Sequence, residues 1–189
     1  MEKLESRHGV WGKLAAVANG HPSHNLSRVN FQRFVLATRL DEVLEQASHR
    51  LFLMSRGQFT LKRAQTLEDR RKNAGLDLEV EDSQSGSTRP TSSLSGGEGF
   101  LASLALALGL ADVVQSRLGG MRLDAVFVDE GFGTLDSEAL ELAMKTLSEL
   151  QAGGRMVGII SHVPELKDQI ARRLIVRKTP IGSSVHWEN

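Results

Sequence analysis

Two adjacent glycines and a serine stand directly before an apolar segment of this sequence, in the run Ser95-Gly96-Gly97-Glu98. A serine followed three residues later by a glutamate is typical of a helix N-terminus, where the two side chains satisfy free backbone amides. Capping does not require the two glycines, which let the backbone come close to another group and leave free amides pointing outward. Because amides at a helix N-terminus attract negative charge, we interpret Ser95, Gly96 and Gly97 as an anion site.

Two carboxylates, Asp129 and Glu130, follow the apolar run 125–128, which is typical of a buried parallel strand. Ligands of open α/β sheets bind at the carboxyl ends of the strands. Adjacent acids repel each other unless a cation or separate roles offset the repulsion. We therefore expect Asp129 to hold Mg²⁺ through water, and Glu130 to orient or deprotonate a water molecule that attacks a phosphate. The alternative is that both acids merely end a strand.

Two further residues are candidates for the same site. Asp136 can cap the next helix, and it follows Glu130 closely enough to contact a nucleotide bound by a partner as well. His162 follows a predicted strand and therefore reaches the same edge of the sheet. A lone histidine is usually structural, but the neighbouring acids favour a contact between His162 and a γ-phosphate.

Helices and strands that could position these residues alternate in the second half of the chain. We predict helices at 98–118, 137–150 and 164–171, and strands at 124–129, 155–161 and 173–178. This alternation indicates an α/β fold with a parallel sheet and flanking helices. The last of these strands is expected to turn at Pro180 into a final strand near Trp187, which makes a hairpin.

The first half of the chain has a different pattern. Apolar residues at helical spacing predict a long amphipathic helix from Ser27 to Met54, and glycines limit the segment before it to a short helix and a loop. Alternating residues at 59–61 and 76–80 predict a small antiparallel pair. Residues 82–93 are polar and rich in Ser, Thr, Gly and Pro, so we expect a mobile surface loop.

These motifs resemble, in order and spacing, those of the ABC-type ATPases. The run from Leu94 to Glu98 looks like the ABC signature, Asp129-Glu130 like Walker B, Asp136 like the D-loop aspartate and His162 like the switch histidine.

A more particular resemblance lies in the run Asp-Glu-Gly-Phe-Gly-Thr-Leu-Asp at 129–136, which is similar to the SbcC branch of the SMC-like ATPases. The segments 31–36 and 51–61 look like the place where an SbcC coiled coil returns into the ATPase head. The resemblance therefore covers nearly the whole chain.

This resemblance implies half of a P-loop ATPase head. Residues 1–57 would be the coiled-coil exit with its long helix, and residues 58–189 the C-terminal lobe of the head. ATP and Mg²⁺ would be the cofactors. The signature residues Ser95, Gly96 and Gly97 would contact the nucleotide held by the opposite head. Asp129, Glu130 and His162 would act on the nucleotide bound by their own head. The implied partners are the N-terminal Walker A half, a second head, an SbcD-like nuclease and double-stranded DNA.

A phosphate loop of the form Gly-x-x-x-x-Gly-Lys-[Ser/Thr] is absent from the sequence, and the run Gly9 to Leu14 has the wrong spacing. We therefore expect no ATPase activity from this chain alone. Two alternatives stay open: another ABC-type ATPase, such as a transporter or a different repair protein, and a non-catalytic assembly module. The Gly-Phe-Gly stretch argues against a transporter, and the Asp129-Glu130 pair argues against a module.

Composition narrows the remaining choices. The 23 basic and 23 acidic side chains balance, so net charge neither supports nor excludes DNA binding. No cysteine is present, which excludes disulfides and Cys-ligated metals. The longest apolar stretch, Leu101 to Ala111, is too short to cross a bilayer, and we expect a cytoplasmic protein without a membrane partner.

Three polar features receive a conservative interpretation. His21 and His24 are taken as ordinary polar residues and not as a metal site. The basic residues at 62–63 and 70–72 contact either a DNA backbone or solvent, and we favour the solvated hairpin. Arg89 has three interpretations: a contact with phosphate, a link between nucleotide and the coiled coil, and a solvated side chain. We favour the solvated side chain.

Overall fold

A computed structural model describes residues 2–25, 29–64, 76–117, 119, 123–180 and 182–188. Its helices and strands are, in chain order, α1 (Glu2–Ala18), α2 (Phe31–Met54), β1 (Phe59–Arg63), β2 (Leu78–Asp82), β3 (Ser87–Pro90), α3 (Gly96–Arg117), β4 (Ala125–Asp129), α4 (Ser137–Ala152), β5 (Met156–Ile160), β6 (Arg173–Thr179) and β7 (Gly182–Glu188). Three short 3₁₀ turns lie at Thr91–Ser93, Phe132–Thr134 and Pro164–Leu166. The mixture of a parallel pair, antiparallel strands and flanking helices confirms the predicted α/β class.

The centre of the molecule is the packing of α2 against α3. The apolar residues of α2 that are buried there lie in its second half: Val43, Leu44, Ala47, Leu51 and Met54. Ion pairs of Arg50 with Asp112 and of Arg117 with Glu42 join the two helices along their length. Since the later residue of α2 pairs with the earlier residue of α3, the two helices run antiparallel.

Three antiparallel strands in the order β1-β2-β3 cover the end of α2. Leu61 lies opposite Val80 in the register, and both are buried, which confirms the predicted antiparallel pair. The prediction of a mobile loop over 82–93 was wrong, because β3 pairs with β2 and a 3₁₀ turn follows it. Backbone pairing stabilises this polar segment, and its composition gives no sign of that pairing.

The parallel sheet consists of β4 and β5, in register from Ala125 opposite Met156 to Asp129 opposite Ile160. Helix α4 connects them and buries its apolar side in the core. The predicted C-terminal hairpin is confirmed, since β6 and β7 pair from Arg173 opposite Glu188. Among the described residues, β5 pairs with β4 alone and β6 with β7 alone.

Two predicted helices differ from the structure. The segment 164–171 forms only the 3₁₀ turn Pro164–Leu166, because a single buried side chain, Leu166, offers too little packing to offset helix nucleation. In contrast, α1 continues over 17 residues through Gly9 and Gly12, so the short helix expected there was wrong. Each interior glycine costs about 1 kcal/mol, which weakens a helix without ending it. The predicted start of α2 at Ser27 lies outside the described residues.

Helix α3 is long and apolar enough to cross a membrane by length and composition alone, although its uninterrupted apolar stretch had suggested otherwise. Its leucines 101, 104 and 108 are buried in the core, however, and Asp112 forms ion pairs with arginines. Packing in the core therefore accounts for part of the apolar composition of α3.

Candidate functional site

The capping box predicted at the start of α3 is present. The backbone N–H of Ser95 donates to Oε2 of Glu98 at 2.7 Å, and the N–H of Glu98 donates to Oγ of Ser95 at 3.3 Å. Burial alone would raise the pKa of Glu98, but hydrogen bonds from Ser95 and the charge of Arg89 lower it overall. The amide of Ser95 is therefore occupied, and the groups left for an anion are the Ser95 hydroxyl and the amides of Gly96 and Gly97.

The close packing of Gly97 gives a structural reason for glycine at this position, beside its predicted role in anion binding. A Cβ atom at this position would lie 2.7 Å from the carbonyl oxygen of Thr134. The start of α3 therefore packs directly on the turn that follows the two carboxylates. The close approach predicted from the two glycines exists, and one partner in it is this chain's own backbone.

Arg89 is held in place, so the expected solvated side chain was wrong. Its Nη1 donates to the carbonyl oxygen of Ser93 at 2.8 Å and to its Oγ at 3.0 Å, while Nη2 lies 3.4 Å from Oε2 of Glu98. The guanidinium also lies over the ring of Phe59, 5.5 Å from the centroid. Strand β3, which the sequence did not predict, delivers Arg89 to this position.

Two of the other basic residues lie on opposite faces of β1, because successive strand residues point to opposite sides. Lys62 pairs with Glu81 at 3.3 Å on the exposed face, which fits the solvated interpretation. Arg63 pairs with Asp41 of α2 at 2.8 Å on the face that packs on that helix, so the solvated interpretation does not fit Arg63. The basic residues 70–72 lie outside the described residues.

Asp129 and Glu130 lie at the carboxyl end of β4, and both are exposed. Glu130 adopts a left-handed backbone conformation with φ of +58°, and its N–H donates to the carbonyl oxygen of Ile160 at 2.8 Å. Its carboxylate Oε2 lies 2.8 Å from Nδ1 of His162. The structure thus brings the predicted Glu130 and His162 together, in a backbone geometry whose strain is common at functional sites.

The loop after Glu130 requires its first glycine. Gly131 has φ of +93°, and a Cβ there would overlap the ring of Phe100. Phe100 in turn packs edge-on against Phe132, with the ring centroids 4.9 Å apart. These contacts fasten the carboxylate loop to the first turns of α3. No sequence pattern indicated the role of Phe100, because an aromatic residue in an apolar helix is usually only core.

Asp136 caps α4, as predicted: its Oδ1 accepts from the N–H of Ala139 at 2.7 Å. The hydrogen bond from Ala139 is the main reason that the pKa of Asp136 is lowered, and Arg56 adds to it. Arg56 donates to both carboxylate oxygens at 3.1 Å and also pairs with Glu138 at 2.8 Å. Sequence reasoning missed Arg56, because the two partners are 80 residues apart.

The carboxylate of Asp129 is the side chain at this edge that best fits a magnesium ligand. Within the described ranges, no group of three or more His, Asp or Glu side chains could hold a metal by itself. Mg²⁺ usually binds one or two carboxylates and completes its shell with water and phosphate oxygens. The exposed carboxylate of Asp129 fits that need, and the remaining ligands would have to come from nucleotide, water and another segment.

The two carboxylates end a parallel strand beside a helix that begins with two glycines, and the α/β segment that carries them has the fold of solved SMC ATPase structures. One, from work on ATP-driven dimerization and DNA-stimulated activation, superposes with a TM-score of 0.62 at 14% identity and covers 83% of this chain and 89% of that chain. The Smc head domain of Pyrococcus furiosus with an extended coiled coil, bound to the C-terminal domain of ScpA, superposes at 0.58 with 14% identity, over 99% of this chain and 44% of that chain.

Sequence comparison is more specific. Residues 65–149 match the family described as SbcC/RAD50-like, Walker B motif. The chain is 54% identical over 182 residues to the SbcC subunit of the nuclease SbcCD from Vibrio cholerae, covering 96% of this chain and 18% of that protein. It is 43% identical over 173 residues to the same protein of Treponema pallidum, covering 92% and 16%. The chain thus spans less than a fifth of these relatives, and it is an SbcC-like segment with the fold of an SMC ATPase head.

Proposed function

We propose that this chain is the C-terminal part of an SbcC-like ATPase head that binds and hydrolyses ATP together with an N-terminal Walker A segment. The observation that carries the proposal is the pairing of Glu130 with His162 beside Asp129, at the carboxyl edge of the parallel sheet. This edge is where α/β proteins bind their ligands. Two carboxylates and a histidine there supply oxygen and nitrogen atoms for metal, water and phosphate.

Each residue has one role in this mechanism. Asp129 would hold Mg²⁺, which neutralises phosphate charge when it is bound. Glu130 orients or deprotonates the attacking water, and His162 contacts the γ-phosphate and holds the Glu130 carboxylate in place. Ser95, Gly96 and Gly97 donate hydrogen bonds to nucleotide held by a second head, and Asp136 lies beside the same interface.

The N-terminal segment is needed because the parallel sheet is incomplete in the described residues. Phe127, Met156 and Ile160 on β4 and β5 are each more than half exposed. A cavity of about 410 Å³ lies between α3 and β4, lined by apolar residues that include Phe100 and Leu104. Exposed apolar area of this kind marks a surface that another chain segment covers. We assign it to the segment that carries the Walker A loop.

The wider assembly follows from the relatives. They are named as a subunit of the nuclease SbcCD, which supports an SbcD-like nuclease as a partner. ATP-dependent closure of two such heads would control how that nuclease processes ends of double-stranded DNA in repair and recombination. We place these functions in the cytoplasm, where the bacterial relatives would find ATP and chromosomal DNA.

The test is Mg²⁺-dependent ATP hydrolysis by this chain alone and after mixing with the N-terminal Walker A segment. We expect turnover only in the mixture. Glu130→Gln should lower that turnover by roughly 10²–10⁴-fold, because the variant cannot accept the proton of water. Glu149→Gln is the matched control, since Glu149 is an exposed carboxylate in the last turn of α4, at the opposite end of that helix from Asp136.

Other outcomes would identify different functions. Hydrolysis by this chain alone would mean that it contains a phosphate-binding site that the sequence did not reveal. No hydrolysis in either sample, with the two segments bound to each other, would favour a non-catalytic assembly module.

A further inference from the structure

We propose that Arg89 is the positioning residue of the signature, and that it acts on nucleotide bound by the opposite head. This inference rests on the proposed function. Arg89 lies on β3, outside the Ser95–Glu98 motif, and no step of the mechanism above uses it. Its contacts nevertheless place it between the antiparallel sheet and the groups that would face the anion.

The guanidinium joins three parts of the structure. It lies over Phe59 of β1, it donates twice to Ser93 in the turn before the signature, and it pairs with Glu98 in the first turn of α3. Phe59 is almost fully buried, and its amide donates to Oγ of Ser55 at the end of α2. One side chain therefore fixes the turn that leads into Ser95 relative to a rigid part of the core.

Arg89 also compensates the negative charge of Glu98 beside the signature. The carboxylate of Glu98 accepts a hydrogen bond from the amide of Ser95. It therefore lies at the N-terminal end of α3, where an anionic nucleotide would approach. An uncompensated carboxylate there would repel the phosphates. Both side chains of the Arg89–Glu98 pair are about 30% exposed, so solvent screens the attraction between them only in part. Arg89 thus allows Glu98 to cap the helix without opposing the anion.

The geometry requires arginine and not merely positive charge. Ser93 and Glu98 lie on two different nitrogens of the same planar guanidinium, while its face covers the Phe59 ring. A lysine has one nitrogen on a flexible stem, and it cannot hold the two partners in fixed directions. Arg89→Lys should therefore keep the charge and lose the positioning.

The first experiment uses the head completed by its N-terminal segment. Arg89→Gln should raise the ATP concentration needed for half-maximal head dimerisation about tenfold, because only the dimer engages the signature. ATP binding by the monomeric head should stay unchanged. Arg89→Lys should restore part of the loss, and Lys62→Gln, which removes an ion pair from the same sheet, should have no effect. Equal loss of monomer binding and dimerisation would mean that Arg89 only stabilises the fold, and would overturn the proposal.

The second experiment uses mixed dimers purified through two affinity tags, with the wild-type/Glu130→Gln dimer as reference. When one head carries Arg89→Gln and its partner Glu130→Gln, the altered signature faces the inactive site, so hydrolysis should equal the reference. When one head carries both substitutions and its partner is wild type, the altered signature faces the active site. Hydrolysis should then fall about tenfold.

If the first mixed dimer hydrolyses ATP more slowly than the second, or if both lose hydrolysis equally, Arg89 does not act on the opposite head. Failure of the proposed function itself would look different. In that case the wild-type head would not hydrolyse ATP, or Glu130→Gln on both heads would leave hydrolysis intact. If Arg89→Gln does not fold, the same two dimers made with Arg89→Lys decide the question, with the same order of activities expected.

Discussion

The two parts of the candidate site differ in how completely this chain builds them. Around Ser95, the capping glutamate, Arg89 and the close packing of Gly97 on Thr134 all come from within the chain. Around Asp129, the carboxylates are exposed, and the His162 side chain is 82% exposed. Phe127, Met156 and Ile160 on β4 and β5 are exposed as well.

This difference agrees with the proposed function. In that proposal the signature serves the opposite head, so it must hold its shape before the heads meet, and internal contacts provide that. The carboxylate edge would work beside nucleotide and a phosphate loop, which another segment would supply. The two parts are nevertheless joined, since Gly97 and Phe100 of α3 pack on the loop that follows Glu130.

The most disruptive change to that junction should be Gly131→Ala. The left-handed backbone and the overlap of a Cβ with Phe100 should together lower the free energy of unfolding by about 3 kcal/mol. Urea unfolding of the completed head measures this. Gly99→Ala is the control, because open space surrounds that helical position and alanine should be neutral or slightly stabilising. Equal stability of the two variants would mean that the loop is not fastened to α3.

The incomplete edge should change when the N-terminal segment binds. We expect the backbone amides of β5 to exchange with deuterium at least about tenfold more slowly in the completed head, because the sheet continues over them. Amides of β1, which is already covered by α2 and β2, serve as the internal reference. If the N-terminal segment binds but deuterium exchange in β5 does not change, the segment binds elsewhere. The carboxylate edge would then not be the incomplete part of the site.

The signature should show the smallest effect, and one that depends on pH. The pKa of Glu98 is lower in the folded state, so its stabilisation is present above the ordinary glutamate pKa of about 4.3 and is lost as the pH falls through the folded value. Glu98→Gln should therefore cost about 1 kcal/mol at pH 7 and progressively less below pH 4. Thermal unfolding across this range measures the difference, with Glu141→Gln as the control. A constant difference at every pH would contradict an ionised cap.

Much of the fold followed from local pattern. The long helix, the antiparallel pair, the alternating helices and strands and the C-terminal hairpin were predicted correctly, because each has a hydrophobic period or a turn residue of its own. Two of the errors fell where tertiary pairing decides: β3 forms in a polar segment because β2 is beside it, and the segment after Pro164 lacks the packing that a helix needs. A third error, the short helix expected at the N-terminus, overestimated the effect of Gly9 and Gly12. The catalytic and binding roles of the site residues stay predictions until the experiments above are done.

The sequence by itself determined the types and order of the residues that could do chemistry: a capped, glycine-rich helix start, two carboxylates after an apolar strand and a histidine after the next. Only the tertiary structure decided which of them meet. Glu130 reaches His162 because β4 and β5 are parallel neighbours, Arg56 reaches Asp136 from the turn after α2, and Arg89 is held over Phe59 of β1. Such contacts depend on packing between elements far apart in sequence, and no local pattern records them.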